Sequence, residues 1–380
     1  MVDQMQNEVL LMMPGPVPMP ERVKNAMSRQ AINHRGEEFG GVYADCVRVL
    51  KPFFGTENEI FLLSGSGTAG MEAAIANVGV GKKIASLVNG KFGERLAEIG
   101  GLYGELTSIE SEWGHPLRLD ALAEALENGA EVVTMVHNET SAGILNPAAE
   151  VGKLARKHDA LFIMDGITSI GGEHVAADEW GADIAIVGSQ KCLAAPAGLS
   201  AVSVSERAWE RLSEKRPYYL DLKAYRKAAS KKPMETPYTP AVPLFFAFRE
   251  ACLIAEEEGL ENRIARHRRL AEAVRAAAAA WGLELLPVSD ALHSPSNTAT
   301  AILYPDGISD SALRSGVKKT GIQIAGGQDR LKGKIFRIGT MGAVGTHEVL
   351  ATLAAVQGTL QKLGYTPAAD GVSAALEVLV

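Results

Sequence analysis

Residues 183–187 (Asp-Ile-Ala-Ile-Val) form a short, almost wholly apolar run, the pattern of a strand covered on both faces. Gly188 and Ser189 then turn the chain, and Lys191 follows just past the strand's carboxyl end. Residues 160–164 repeat the pattern and end in Asp165, followed by Gly166-Ile167-Thr168-Ser169-Ile170-Gly171-Gly172. Further strand-like runs fall at 60–63, 83–88, 105–110, 131–136 and 201–204, with helical spacing between them. Strands alternating with helices predict an α/β chain with a mostly parallel sheet. Open sheets of this kind receive ligands at the carboxyl ends of their strands. One strand therefore delivers a carboxylate, and another an amine, to a single edge.

The chain is long enough, at 380 residues, for a large α/β domain and a smaller second one. A net charge of −7 gives no footprint for nucleic acid. Cys46, Cys192 and Cys252 are too widely spaced for a zinc pattern or a disulfide framework. Residues 1–9 lack a basic-then-apolar signal layout, and the apolar stretches are too short to span a bilayer. The expectation is a cytoplasmic protein with no nucleic-acid or membrane partner and no metal.

Gly65, Gly67 and Gly70 follow the 60–63 strand and open a helix, which fits the dinucleotide fingerprint. A dinucleotide site would want an acid at the end of the next strand. That strand, 83–88, ends instead in Asn89-Gly90-Lys91. A glycine-rich helix amino terminus still holds phosphate through its free N–H groups and dipole. Ser66-Gly67-Thr68 is thus expected to cradle a phosphate, with a purely structural glycine turn as the competing explanation.

A phosphate cradle, a lysine and an acid at one sheet edge match the needs of pyridoxal phosphate (PLP). Its aldehyde is held by a lysine as a Schiff base, and its ring nitrogen by an acid. Ser189-Gln190-Lys191, and Asp165 ahead of Ile-Thr-Ser-Ile-Gly-Gly, closely resemble the corresponding site of the class V aminotransferases. The chain is most similar to their alanine–glyoxylate and serine–pyruvate members, from Pro14-Gly15-Pro16 to Arg337-Ile338-Gly339. The resemblance implies a fold type I PLP-dependent transferase: an arm (1–20), a large domain with a seven-stranded sheet (21–245) and a small C-terminal α/β domain (246–380). It further implies Lys191 and Asp165 as catalytic residues, with Ser66, Gly67 and Thr68 at the phosphate. Phe92 would stack on the ring where the family often has Trp, and Thr140 and Gln190 would orient the ring's substituents. Gly15 would lie beside the substrate and Arg337 would hold its α-carboxylate. Thr239, and less surely Thr236, would reach the phosphate of the other subunit of a homodimer. The implied reaction moves an amino group from alanine or serine to glyoxylate or pyruvate.

Pattern alone reads Arg337 differently, because an arginine in a strand ordinarily points to solvent. Aspartate as donor would want a second cation, for which Arg35, His34, Arg330 and Lys332 are candidates. A PLP lyase would need a mobile cysteine in a loop of the second domain, yet Cys252 lies in a helical run and Cys192 adjoins the lysine. A nicotinamide dehydrogenase lacks its ribose acid. A non-catalytic binding subunit of the same fold is disfavoured by the full set of cofactor-contact residue types. His137 reads as a hydrogen-bonded histidine at a strand end rather than a proton carrier. Asn146 is expected to cap a helix beginning at Pro147, and Ser205 one running to about 214. Residues 218–232 look like a solvated basic face. One long helical region is expected from 244 to 281, a strand at 283–286, and a last helix at 346–363.

Overall fold

Successive strand residues point to opposite faces, so an uninterrupted apolar run needs a cover on each side. In Leu161–Asp165, Phe162 and Met164 enter one core while Leu161 and Ile163 enter another. Ile184–Gly188 does the same, with Ala185 and Val187 opposed to Ile184 and Ile186. Helices Glu37–Phe54 and Val242–Glu258 cover the first face, and Gly67–Val78 and Lys91–Tyr103 the second. Each large aliphatic or aromatic side chain buried this way contributes about 1.5–3 kcal/mol.

The computed structural model of the chain describes residues 9–380; the reading of residues 1–8 lies outside them. The main sheet has seven strands in the order Glu59–Ser64, Leu199–Val204, Ile184–Gly188, Leu161–Asp165, Val132–Val136, Lys83–Val88, Glu105–Glu110. Leu199–Val204 runs antiparallel to both neighbours, and the remaining pairs are parallel. A second sheet of four strands has the order Leu10–Met12, Ile322–Gly326, Ile335–Gly339, Ala299–Leu303. It packs with helices Leu260–Trp281, Asp310–Lys318 and Thr346–Lys362 around a separate core that includes Met12, Trp281, Phe336 and Leu353. The fold is the α/β arrangement expected.

Several local expectations change. The opening arm does more than lie against the body, because Leu10–Met12 is a strand that pairs in parallel with Ile322, Gln323 and Ile324. The long helical region breaks at Gly259, which has φ +81°. A further helix, Gly371–Leu379, follows the one expected to be last. Residues 283–286 form only a single bridge, Leu285 to Ile302. Asn146 does not cap a helix; its amide donates to Val136 O at 2.8 Å and pairs with Asn89, while the helix begins at Ala148. Ser205 does cap, accepting from Ala208 N at 3.1 Å, but that helix ends at Glu210. Within the basic 218–232 stretch, Leu222, Tyr225 and Ala228 are buried on one face of the helix Leu222–Ala229.

Candidate active site

Five parallel strands of the main sheet end on the same edge, and the loops leaving them meet around one cavity. It is lined by residues from 66–71, 92–95, 136–138, 165–168 and 190–191. The larger cleft, about 870 Å³, lies at the opposite edge, where Lys82 already pairs with Glu131 and Arg211 with Asp159.

Asp165 and Lys191 both line the carboxyl-edge cavity. They end or follow strands that are direct neighbours in the sheet. Asp165 is 3% exposed, and the one hydrogen bond to its carboxylate among the described residues comes from Ile167 N to Oδ1 at 2.8 Å. Burial pushes its carboxyl up to about 7. Burial also pushes the Lys191 amine down to about 8. Both groups therefore titrate near neutrality, where proton transfer is most efficient. Lys191 Nζ donates to Pro14 O, and Gly15, at φ +108°, lies so close that a Cβ there would stand 2.5 Å from Nζ. The opening segment thus reaches the amine.

Ser66 precedes the Gly67–Val78 helix without a side-chain cap bond, and the N–H groups of Gly67 and Thr68 have no backbone acceptor. A helix terminus left open beside a cavity is an anion site. Glycine is needed here for space: a Cβ on Gly67 would stand 2.5 Å from Ile167 Cδ1. Gly70 packs the same helix against Ile186, 2.7 Å from where its own Cβ would be. Phe92 presents its ring to the cavity, with Lys191 Nζ 6.0 Å from the centroid.

Arg337 is 4% exposed, which corrects the expectation from pattern. Its Nε and Nη2 donate to Gly326 O at 3.0 and 2.8 Å, and Nη1 to Thr140 O at 2.9 Å. Burial lowers its pKa to about 10, so it remains a cation at neutral pH. Thr140 is fully buried, outside the cavity lining, and its hydroxyl has no partner. Thr239 is exposed and does not line its own chain's cavity, and Thr236 spends its hydroxyl proton on Tyr238 O at 2.7 Å. His137 does not hydrogen-bond through Nδ1; its ring packs edge-on to Trp180 at 5.1 Å, and burial lowers its pKa to about 3.

Four participants escaped the sequence reading. Arg95 lines the cavity, donates to Thr68 Oγ1 at 3.3 Å and lies 5.0 Å from the Phe92 centroid. Its place three residues after Phe92, on the same helix face, was the available signal. Asn138 and Thr168 lock together: Thr168 Oγ1 donates to Asn138 O at 2.6 Å, and Asn138 Nδ2 to Thr168 O at 2.9 Å. Glu139 is buried between two loops of the site. The cations considered for a second carboxylate lie elsewhere. Arg35 pairs with Glu235 and Arg330 with Glu94, and neither they nor His34 and Lys332 line the cavity.

PLP fits these residues on the structure's own terms. Asn138 Oδ1 and Gln190 Oε1 are buried at the cavity without partners, as are the hydroxyls of Thr140 and Ser169 nearby. The chain also has an open helix terminus for a phosphate, an acid for a ring nitrogen and an amine for an aldehyde. Fold and site together define an α/β transferase that works with PLP. The aminotransferase class-V family model matches residues 18–342, and the chain belongs to that family of PLP-dependent aminotransferases.

An uncharacterised aminotransferase of Methanocaldococcus jannaschii is 46% identical over 379 residues, 98% of this chain and 97% of the relative. A Synechococcus sp. protein named as the small subunit of soluble hydrogenase is 42% identical over 388 residues, 99% of each. The serine–glyoxylate aminotransferase of Arabidopsis thaliana is 35% identical over 378 residues, 96% of this chain and 94% of the relative. The crystal structure of ureidoglycine–glyoxylate aminotransferase from Bacillus subtilis superposes with a TM-score of 0.91 at 32% identity, covering 97% of both chains. Among the described residues, no group of three or more His, Cys, Asp or Glu is arranged to hold a metal ion.

Proposed function

We propose that this aminotransferase moves the amino group of a small monocarboxylic amino acid, alanine or serine, to glyoxylate or pyruvate. The observation that carries this is one buried arginine, Arg337, held by two backbone carbonyls through three of its five N–H groups, with two left for one carboxylate. Two relatives named for glyoxylate as acceptor support the choice. When bound, PLP supplies the aldehyde that carries the amino group and the electron sink for the α-carbon. Lys191 would hold that aldehyde and, once freed, take the proton from the substrate's α-carbon. Asp165 keeps a proton at the ring nitrogen, Ser66, Gly67 and Thr68 receive the phosphate, and Phe92 covers the ring face. Gln190 and Thr140 orient polar substituents, and Gly15 walls the substrate. A panel of amino acids, each followed by loss of the cofactor's visible band, tests the donor. A band bleached by aspartate and untouched by alanine and serine would overturn this choice, and Arg95 would then be the cation in reach.

The working unit we propose is a homodimer in the cytoplasm. Tyr218 is 84% exposed and meets Tyr238, which stacks on Tyr219 at 5.2 Å, beside the exposed Thr239. Such an exposed aromatic patch suits a second copy of the chain. The three cysteines are free, which suits a reducing compartment. Among the described residues no helix is long and apolar enough to cross a membrane. The two domains we propose meet later than the boundary expected at 245, since Val242–Glu258 packs in the larger core, and Met12 of the strand Leu10–Met12 packs in the smaller. Light scattering of the purified protein tests the dimer.

A further inference from the structure

Two helices point their amino termini toward the cavity, and only one is open. In Lys91–Tyr103 the first three N–H groups are all taken: Lys91 N donates to Ser141 Oγ at 2.8 Å, and Phe92 N and Gly93 N donate to Glu139 Oε2 at 3.0 and 2.9 Å. The other carboxylate oxygen accepts from Ser141 N at 3.1 Å and from Ser141 Oγ at 2.6 Å. Glu139 is fully buried, and a Cβ on Gly90 would overlap its side chain. Burial pushes the Glu139 carboxyl up, but three obligate backbone donors and a hydroxyl already committed as acceptor to Lys91 N leave the carboxylate as the form that satisfies every group. We propose that Glu139 is the positioning residue of this site. Its carboxylate closes the terminus of the Lys91–Tyr103 helix, fixes the Phe92 ring and Arg95 against the loop carrying Asn138 and Thr140, and leaves Gly67–Val78 as the one terminus open to a phosphate. Its charge also reaches the site, favouring the proton that Asp165 would share with a ring nitrogen and the charged Arg337.

This inference rests on PLP being the ligand, and the test separates the two. Glu139→Gln keeps the shape, but its amide nitrogen must face either the two helix N–H groups or Ser141, donor against donor. The loss of charge-assisted bonds under the ring platform weakens PLP binding about tenfold or more. The expected result is that weaker binding together with a reduced visible circular-dichroism signal of the bound cofactor, which reports how the ring is held. Leu353→Ala, in the separate small core, is the control for plain destabilisation and should leave both readouts unchanged at a comparable loss of melting temperature. Combining Glu139→Gln with Phe92→Leu should cost less than the sum of the two, because both act on one platform. Wild-type circular dichroism and affinity in Glu139→Gln, or full additivity with Phe92→Leu, overturns the role. If Glu139→Gln does not fold, Ser141→Ala removes the hydroxyl between Oε1 and Lys91 N, leaves Ser141 N on Oε1, and should give a partial loss in the same readouts; no loss there overturns it equally. A wild-type chain that shows no visible band with PLP would instead overturn the reading of the ligand.

Discussion

Arg337→Lys probes substrate recognition without emptying the site of charge. In the wild type, Gly326 O and Thr140 O take three of the guanidinium's five N–H groups, leaving two for the carboxylate proposed to bind there. A lysine has three protons. Two are drawn to the same carbonyls, which otherwise stay buried and unpaired at about 1–3 kcal/mol each, so one remains for the substrate. Losing one of two charge-assisted bonds costs about 1.5–3 kcal/mol, or about 10- to 100-fold in kcat/KM. The assay is the rate of bleaching of the visible band on mixing with alanine or serine. Its companion is the dissociation constant of 2-methylalanine, which binds through its carboxylate but has no α-proton to lose. The rate should fall and that dissociation constant should rise by a similar factor, while affinity for PLP stays within about twofold, well under the ~1.4 kcal/mol of a tenfold change. Unchanged kcat/KM and unchanged 2-methylalanine binding would refute the reasoning, and a loss confined to PLP affinity would show that Arg337 is only structural.

Lys191→Ala should purify without the visible band and without turnover; normal turnover would remove this lysine from the reaction. Asp165→Asn should raise the melting temperature of the cofactor-free protein at pH 8 and leave it unchanged near pH 4. The sign follows because a carboxyl raised to about 7 contributes stability below its unfolded pKa and loses it as pH rises to 7. Equal melting temperatures of the two proteins at pH 8 would contradict it. The same variant should bind PLP weakly and lose most activity. Gly67→Ala should weaken PLP binding about tenfold, since closing the cradle removes on the order of 1.4 kcal/mol, and Ile167→Ala added to it should recover part of the loss; calorimetric titration checks both. Thr239→Val should lower affinity for PLP without changing the dimer, and a wild-type dissociation constant would rule out the contact across subunits.

Most of the main sheet was legible because its signal is local. An apolar run covered on both faces needs no distant partner to be recognised, and strands such as Lys83–Val88 and Leu161–Asp165 fell where the pattern put them. The parallel direction of the sheet followed from helices interposed between strands. That in turn placed Asp165, Lys191 and the Ser66-Gly67-Thr68 turn on one edge before any coordinates. Helix ends were legible only where the chain's own chemistry sets them, as at Ser205 and at Gly282 with φ +78°.

Tertiary structure alone decided which groups lost their water and which distant segments paired. Periodicity gives Arg337 a face but not a cover. Burial came from Gly326 and Thr140, on separate elements, whose carbonyls replace the water an exposed guanidinium would keep. The pairing of Leu10–Met12 with Ile322–Gly326, the choice of Arg95 as the cavity's cation and the seating of Glu139 under a neighbouring helix are likewise contacts across the chain. Sequence spacing carries the period of a strand or helix, while desolvation and long-range hydrogen bonding depend on what the fold brings alongside.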